Sequence, residues 1–276
     1  MSTPLVHANG AAIPAIGLGT WPMKGAEAAG AVAHALETGY RALDTAAMYG
    51  NEDAVGEGLR ASGLPRADVF VTTKVWYTDL APGALQRSAE ASLKRLGLDA
   101  VDLLLIHWPN ADIPLEGSIA ALCDAKRRGL AMHIGVSNFP VALLDRAVAL
   151  ATEPLVANQC EYHPHLDQTK VIAACRRHGL AFLSYAPIGK GAVLDEPVVR
   201  DIADRQRRTP AQVVLRWHVQ QDGVAAIPKS ANPRRIAENL DAFGFALSDD
   251  EMAAISSLAR PDGRMVAPGW SPAWDR

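Results

Sequence analysis

Four polar side chains stand at or just beyond the ends of apolar runs, and their types together describe an acid–base site. Asp44 closes Ala42-Leu43-Asp44, and Tyr49 follows it by five residues. Lys74 closes Val69-Phe70-Val71-Thr72-Thr73-Lys74, and His107 closes Val101-Asp102-Leu103-Leu104-Leu105-Ile106-His107. The chemistry that uses this set is proton donation to a carbonyl oxygen while hydride arrives at carbon. A phenol of pKa about 10 is a poor acid near neutrality unless its phenolate is stabilised. A neighbouring ammonium does this, and a carboxylate behind it holds the ammonium in place. An imidazole beside the phenol can orient the substrate oxygen and donate a hydrogen bond. No side chain here can supply hydride, so a nicotinamide cofactor is expected.

Taken singly, each residue has an ordinary explanation. Asp44 could cap the turn after a strand, Tyr49 could be a half-buried aromatic, and His107 could be a satisfied core histidine. Lys74 is the hardest to dismiss, because lysine is seldom buried unless paired. It is the combination on three strand ends that describes one chemistry. A competing chemistry makes Lys74 the Schiff-base amine of a barrel isomerase or lyase, which borohydride trapping with substrate separates from reduction.

Such a set works only if the chain brings those ends together. β-rich runs recur at 41–44, 69–74, 101–107, 133–137, 155–159, 181–185 and 223–228, with a weaker eighth at 241–246. Helix-like segments lie between them, as where Leu85, Ala89, Leu93 and Leu96 repeat on one helical face. Gly39, Gly97, Gly129 and Gly179 mark helix-to-strand turns. The runs are nearly continuous in apolar character, as in a parallel sheet covered on both faces. Alternation of this kind permits a barrel or an open doubly wound sheet. The unbroken repeat and the polar residues at nearly every strand end favour the barrel, since an open sheet concentrates them at one crevice. The expected fold is therefore α/β, a (β/α)8 TIM barrel forming a single domain over residues 1–276, with catalytic groups on the face where the strands end. Before it, Asn9-Gly10 signals a hairpin within residues 5–19, read as a plug for the barrel bottom followed by a turn to the top.

Composition bounds the function. Of 276 residues 49% are hydrophobic, enough for a large core, and the formal charge of -3 argues against nucleic acid as an obligatory partner. The pairs Arg127-Arg128, Arg176-Arg177 and Arg207-Arg208 fall late in expected helices, where cations complement the helix dipole. Three cysteines without a CxxC point to buried thiols in a reducing cytoplasm. The N-terminus does not read as a signal peptide, and the aliphatic run Leu103 to Ile106 is far too short to span a bilayer. A monomer is expected. Several motifs fail. Gly17-x-Gly19 lacks a third glycine and a following helix, Phe139 spoils a nucleophile elbow in Gly135-Val136-Ser137-Asn138-Phe139, and Gly189-Lys190 is no Walker loop. His163-x-His165 lacks further ligands at conventional spacing, so no metal is expected.

With these residues in view, the chain resembles the aldo-keto reductase superfamily over essentially its full length. The resemblance rests on Gly17-Leu18-Gly19-Thr20-Trp21, on Asp44-Thr45-Ala46-Ala47-Met48-Tyr49-Gly50-Asn51-Glu52 and on Thr72-Thr73-Lys74-Val75-Trp76. It continues through Asp102-Leu103-Leu104-Leu105-Ile106-His107-Trp108-Pro109, Ile134-Gly135-Val136-Ser137-Asn138-Phe139, Asn158-Gln159 and Ile227-Pro228-Lys229-Ser230. It implies a catalytic tetrad of Asp44, Tyr49, Lys74 and His107 with Tyr49 as general acid, and NADPH bound without a Rossmann domain. Ser137, Asn138 and Gln159 would hold the carboxamide, and Tyr185 would stack on the nicotinamide. Ala186, Pro187, Ile188 and Gly189 would border the pyrophosphate, with Gly19, Thr20, Asp44 and Ile227 also against the cofactor. Lys229, Ser230 and Arg235 would hold the 2′-phosphate, with Glu238 and Asn239 near the adenine. A cation kept at a helix start, as at Arg235, makes sense where an anion docks.

Trp21, Trp76 and Trp108 adjoin motif residues and are expected to line the substrate pocket beside Tyr49 and His107, with Trp270 of the tail as a fourth tryptophan there. The tail from Asp262 to Asp275 has few helix or strand signals, and in this superfamily such a tail folds over the site. It looks most like the tails of bacterial 2,5-diketo-D-gluconate reductases, with Trp270 as a departure. The implied activity is reduction of small aldehydes and ketones such as α-dicarbonyls, keto sugars and methylglyoxal-like compounds. The alternative from another class is a non-catalytic NADPH-binding redox sensor or structural protein of the same fold. The intact tetrad argues against the structural version, and the tail against a channel-associated one.

Overall fold

The computed structural model describes residues 3–275; Met1, Ser2 and Arg276 lie outside it. Two strands, β1 (Leu5–Ala8) and β2 (Ala11–Pro14), pair antiparallel across the Asn9-Gly10 turn. Eight parallel strands follow: β3 (Leu18–Gly19), β4 (Ala42–Asp44), β5 (Phe70–Val75), β6 (Val101–Ile106), β7 (Ala131–Ser137), β8 (Leu155–Glu161), β9 (Ala181–Tyr185) and β10 (Val224–Ile227). Each pairs with its neighbour in chain order. A bridge from Ile16 to Ala226, with Gly17 donating to Ala226 O at 3.0 Å and Ala226 donating to Ala15 O at 2.9 Å, joins the two edges. The sheet thus closes into the expected (β/α)8 barrel.

The closure corrects the strand count. The weak eighth strand expected at 241–246 is instead a 3₁₀ turn, Asp241–Phe243, packed on neighbouring helices. The eighth barrel strand is the two-residue Leu18–Gly19, within the segment read as a turn to the top. Gly17 and Gly19 make this possible: a Cβ would stand 3.1 Å from the Ala42 side chain at Gly17 and 3.2 Å from Ile227 at Gly19. The backbone therefore slides between β4 and β10 closely enough to bond both.

Parallel pairing puts alternate residues inside and outside the barrel. Leu103, Leu105, Ala157, Leu183 and Ala225 form one buried cluster with Ala8, Ala11 and Ile13, so the hairpin plugs the barrel bottom as its turn signal implied. Leu104, Ile106, Ile134 and Val136 belong to the other cluster, shared with helices such as α1 (Gly25–Thr38) and α3 (Ala84–Leu96). Gly39 and Gly97 end those two helices at φ 119° and 70°, a left-handed conformation that opens the turn into the next strand. With the bottom plugged, the open end of the barrel is the one where the strands finish.

Candidate active site

Asp44 is the last residue of β4, in register with Gly19 on β3 and Thr72 on β5. Lys74 lies in β5 opposite Leu105 of β6. His107 directly follows β6, its amide donating to Val75 O at 3.0 Å. Tyr49 ends a 3₁₀ turn, Ala47–Tyr49, which Gly50 closes at φ 56° and which Lys24 ties down by donating to the Tyr49 carbonyl. Behind that turn the buried Asn51 accepts from Thr45 Oγ1 at 2.8 Å and donates to Met23 O at 2.9 Å. Glu52, fully buried, accepts from Thr73 Oγ1 at 2.5 Å and pairs with Arg95 at 2.6 Å. Asn51 and Glu52 thus brace the turn and strand β5 from behind.

The four groups meet. Lys74 Nζ donates to Asp44 Oδ1 at 2.5 Å, to Thr45 O at 2.8 Å and to Tyr49 OH at 3.4 Å. The Tyr49 and His107 ring centres are 5.5 Å apart, nearly perpendicular. Burial alone would strip the Lys74 proton, but Asp44 and then Tyr49 outweigh it and hold the amine's pKa above its usual value. Its Nζ is cationic and fully engaged, which does not suit a Schiff-base nucleophile. For Tyr49 burial raises the pKa, and the pull of Lys74 opposes this without cancelling it. Desolvation thus exceeds the ammonium effect expected from sequence, and the phenol keeps its proton at neutral pH. Burial, helped by repulsion from Lys74, holds the His107 imidazole neutral well below its ordinary 6.5. The resulting set is a neutral phenol donor flanked by a fixed cation and a neutral imidazole.

A cavity of 890 Å³ opens above this floor. Asp44, Tyr49 and His107 line it with Trp21, Trp76 and Trp108, and Trp270 enters from the tail. Trp76 packs on His107 at 5.2 Å, and Trp270 stands edge-on to Trp108 at 5.3 Å. Tyr77, which sequence reasoning missed, stacks flat on Trp270 at 4.2 Å with the rings 7° apart. Its place directly after Trp76 was the available signal. All four tryptophans assigned to the pocket lie there.

The residues assigned to a cofactor fall along a trough from this cavity. Gly19, Thr20, Asn138, Gln159, Tyr185, Ala186, Pro187, Ile188, Ile227 and Lys229 line the first cavity. Ser137 sits behind Asn138, its hydroxyl accepting from Asn138 Nδ2 at 3.0 Å and donating to Gln159 O at 2.7 Å. Tyr185 donates to Asn138 Oδ1 at 2.9 Å, and Gln159 donates to Asp44 Oδ2 at 2.7 Å. The amide set and the acid–base set are therefore one hydrogen-bonded unit. Gly189 is buried at the start of a 3₁₀ stretch, Gly189–Asp195, where a Cβ would stand 3.1 Å from Val193 and 3.6 Å from His163, and it does not line the cavity.

A second cavity of 770 Å³ shares Ile188, Lys190 and Lys229 with the first and continues to Ser230, Arg235, Glu238 and Asn239. There α9 (Pro233–Leu240) begins, capped by Asn232, whose side chain accepts from the Arg235 amide at 3.1 Å. Arg234 is neutralised by Glu238 at 3.1 Å, whereas Lys229 and Arg235 are exposed without an ion-pair partner among the described residues. Two uncompensated cations beside a helix N-terminus fit a phosphomonoester. Lys190, dismissed from sequence with the failed Walker pattern, adds a third cation where the cavities join. No cluster of three or more metal-ligating side chains occurs among the described residues, and no described helix is long and apolar enough to cross a membrane.

Comparison with known proteins agrees with this geometry. A model described as the aldo/keto reductase family matches residues 15–260. A methylglyoxal reductase DkgB of Escherichia coli O157:H7 is 41% identical over 268 residues, covering 96% of this chain and 100% of that protein. A solved structure assigned provisionally as a 2,5-diketo-D-gluconic acid reductase B superposes with a TM-score of 0.97 at 46% identity, over 99% of this chain and 98% of its own. A variant of Gox0644 solved in complex with NADPH superposes with a TM-score of 0.90 at 40% identity, over 97% of each chain. The chain belongs to the aldo/keto reductase family.

Proposed function

We propose that this protein reduces small aldehydes and ketones to alcohols with NADPH, using Tyr49 as the proton donor. The observation that carries the reading is the continuous chain from Gln159 through Asp44 and Lys74 to the Tyr49 hydroxyl, at the floor of an aromatic cavity that runs into a cationic trough. The trough suits the cofactor seen with the Gox0644 variant. Tyr185, Asn138 and Gln159 would hold the nicotinamide end, Ala186 to Ile188 the pyrophosphate, and Lys229, Ser230 and Arg235 the 2′-phosphate, with Glu238 and Asn239 toward the adenine. The chemistry the nicotinamide supplies when bound is a hydride for the carbonyl carbon.

The chain's own part is the proton. Tyr49 OH donates to the carbonyl oxygen as negative charge builds there, and the phenolate left behind lies against the Lys74 ammonium. Asp44 fixes that ammonium and so keeps its charge beside the phenol. Neutral His107 is placed to steer the same oxygen. The tryptophan walls give the cavity an apolar lining that favours short or planar carbonyl compounds. α-Dicarbonyls, keto sugars of the diketogluconate type and methylglyoxal-like aldehydes fit this slot, in keeping with the names of the DkgB and diketogluconate relatives. The test is NADPH oxidation at 340 nm against a panel of dicarbonyls, sugar ketones and aromatic aldehydes, roughly at physiological pH. Turnover with small dicarbonyls supports the assignment, and a protein that binds NADPH yet oxidises it with none of them refutes it.

A further inference from the structure

The run Glu161-Tyr162-His163-Pro164-His165 ends β8 beneath the tail, and neither the acid–base set nor the cofactor trough uses its charged groups. Glu161 has no solvent exposure, and a buried carboxylate is costly unless its oxygens are satisfied. They are satisfied mainly by the tail. Met265 N donates to Oε1 at 2.7 Å and Val266 N to Oε2 at 2.9 Å, while His163 Nε2 lies 3.1 Å from Oε1. Although burial opposes ionisation, these contacts outweigh it and hold the Glu161 carboxyl below its ordinary range.

Two further features fix where the tail starts. Arg260 N donates to His165 O at 3.1 Å, and Gly263 passes so close that a Cβ there would stand 1.7 Å from the same oxygen. Arg264 then lies 3.9 Å from Glu161 Oε2 and 3.6 Å over the Trp274 ring. At the far end Asp275 Oδ2 accepts from Val141 N at 2.9 Å, the first residue of α5 (Val141–Leu150). Trp270, the tail residue facing Trp76 and Trp108, hangs between these two attachments. It has no regular secondary structure of its own to hold it.

We infer that Glu161 is a positioning residue for substrate selection: its carboxylate docks the tail, and the docked tail places Trp270 against the substrate. This rests on the carbonyl reductase reading for what the pocket takes, but the docking itself does not. Glu161→Gln keeps the volume and loses the charge and one acceptor, so one of the two amides loses its partner. KM for methylglyoxal should rise about tenfold, the scale of one charge-assisted hydrogen bond. By contrast, kcat and NADPH affinity by fluorescence titration should stay within about twofold, a split that general loss of structure does not produce.

Hydrogen exchange reads the docking directly. In the wild-type chain the peptide 264–268 should exchange slowly, and Glu161→Gln should speed it while β8 stays protected. Asp275→Ala, at the exposed end, should give a smaller KM increase and keeps the test open should Glu161→Gln fail to fold. Fast exchange of 264–268 in the wild type, loosening of β8 as large as that of the tail, or an unchanged KM in a folded Glu161→Gln variant overturns the inference. A protein that reduces no carbonyl yet shows the protected tail peptide refutes the activity and leaves the docking standing.

Discussion

The floor and the roof of the cavity are built on opposite principles. The floor is anchored on adjacent strands: Asp44 ends β4 and Lys74 lies in β5, bonded to Asp44 and to Tyr49 and 0% exposed, with His107 just beyond β6. The roof is a coil held by hydrogen bonds toward its two ends and by ring contacts between them, and its Trp270 is 42% exposed. A floor made this way holds charge and protons in fixed geometry, because neighbouring strands cannot shift without breaking their ladder. A roof made this way can change its aromatic outline without touching the ladder. Chemistry and selectivity are thereby carried by parts of different stiffness, as the location of binding residues on loops over a rigid scaffold leads one to expect.

The sharpest way to break the comparison is at Lys74. Lys74→Met leaves Asp44 buried without its cation, so stability should fall by about 3–5 kcal/mol, and turnover should be lost with it. Denaturant titration that finds no destabilisation would show that the floor is not the stiff part. Tyr49→Phe separates chemistry from stability. It should lower kcat by at least ~10²-fold, the usual scale for losing a general acid, with little change in NADPH affinity. Near-normal single-turnover rates in that variant would remove Tyr49 from the mechanism.

Arg235→Ala tests the far end of the trough. Losing one charge-assisted contact costs about 1.5–3 kcal/mol, so NADPH should bind roughly 10- to 150-fold more weakly while NADH changes little. Equal weakening of both cofactors, read by fluorescence titration, would make Arg235 structural. The smallest effect belongs to the roof. Deleting residues 269–276 removes Trp270 outright and should raise KM for small dicarbonyls about tenfold, at least as much as Glu161→Gln does, and widen tolerance for bulky carbonyls. NADPH binding and melting temperature should barely move. Unchanged KM values across a panel would mean that Trp270 shapes nothing.

Much of the floor was legible before any coordinates, because an apolar run that ends in Asp, Lys or His is a departure from periodicity that needs a cause. The hairpin plug was legible too, since Asn9-Gly10 is a strong local signal. The eighth strand was not. Two residues, Leu18–Gly19, are too few to show a period; pairing with Leu43–Asp44 makes them a strand, and the bridge from Ile16 to Ala226, more than 200 positions away, closes the barrel beside them. The run at 241–246 misled because apolar residues covering helices look like apolar residues covering a sheet. Glu161 was invisible for a related reason, since its partners in the tail have no periodicity to pair it with, and Tyr77 was marked only by its place after Trp76.

What the sequence determined by itself is the inventory and its order: which acid, phenol, amine and imidazole stand at or beyond which strand ends, and which cations stand at the start of α9. What only the tertiary structure decided is who meets whom and in which protonation state. Lys74 reaches Asp44 across 30 positions, and Gln159 reaches it across 115, because barrel closure and strand register bring those ends to one face. The neutral His107, the protonated Tyr49 and the cationic Lys74 follow from burial and from neighbours supplied by other strands. Types and spacing are written along the chain, whereas desolvation and contact are properties of packing and exist only once the barrel has closed.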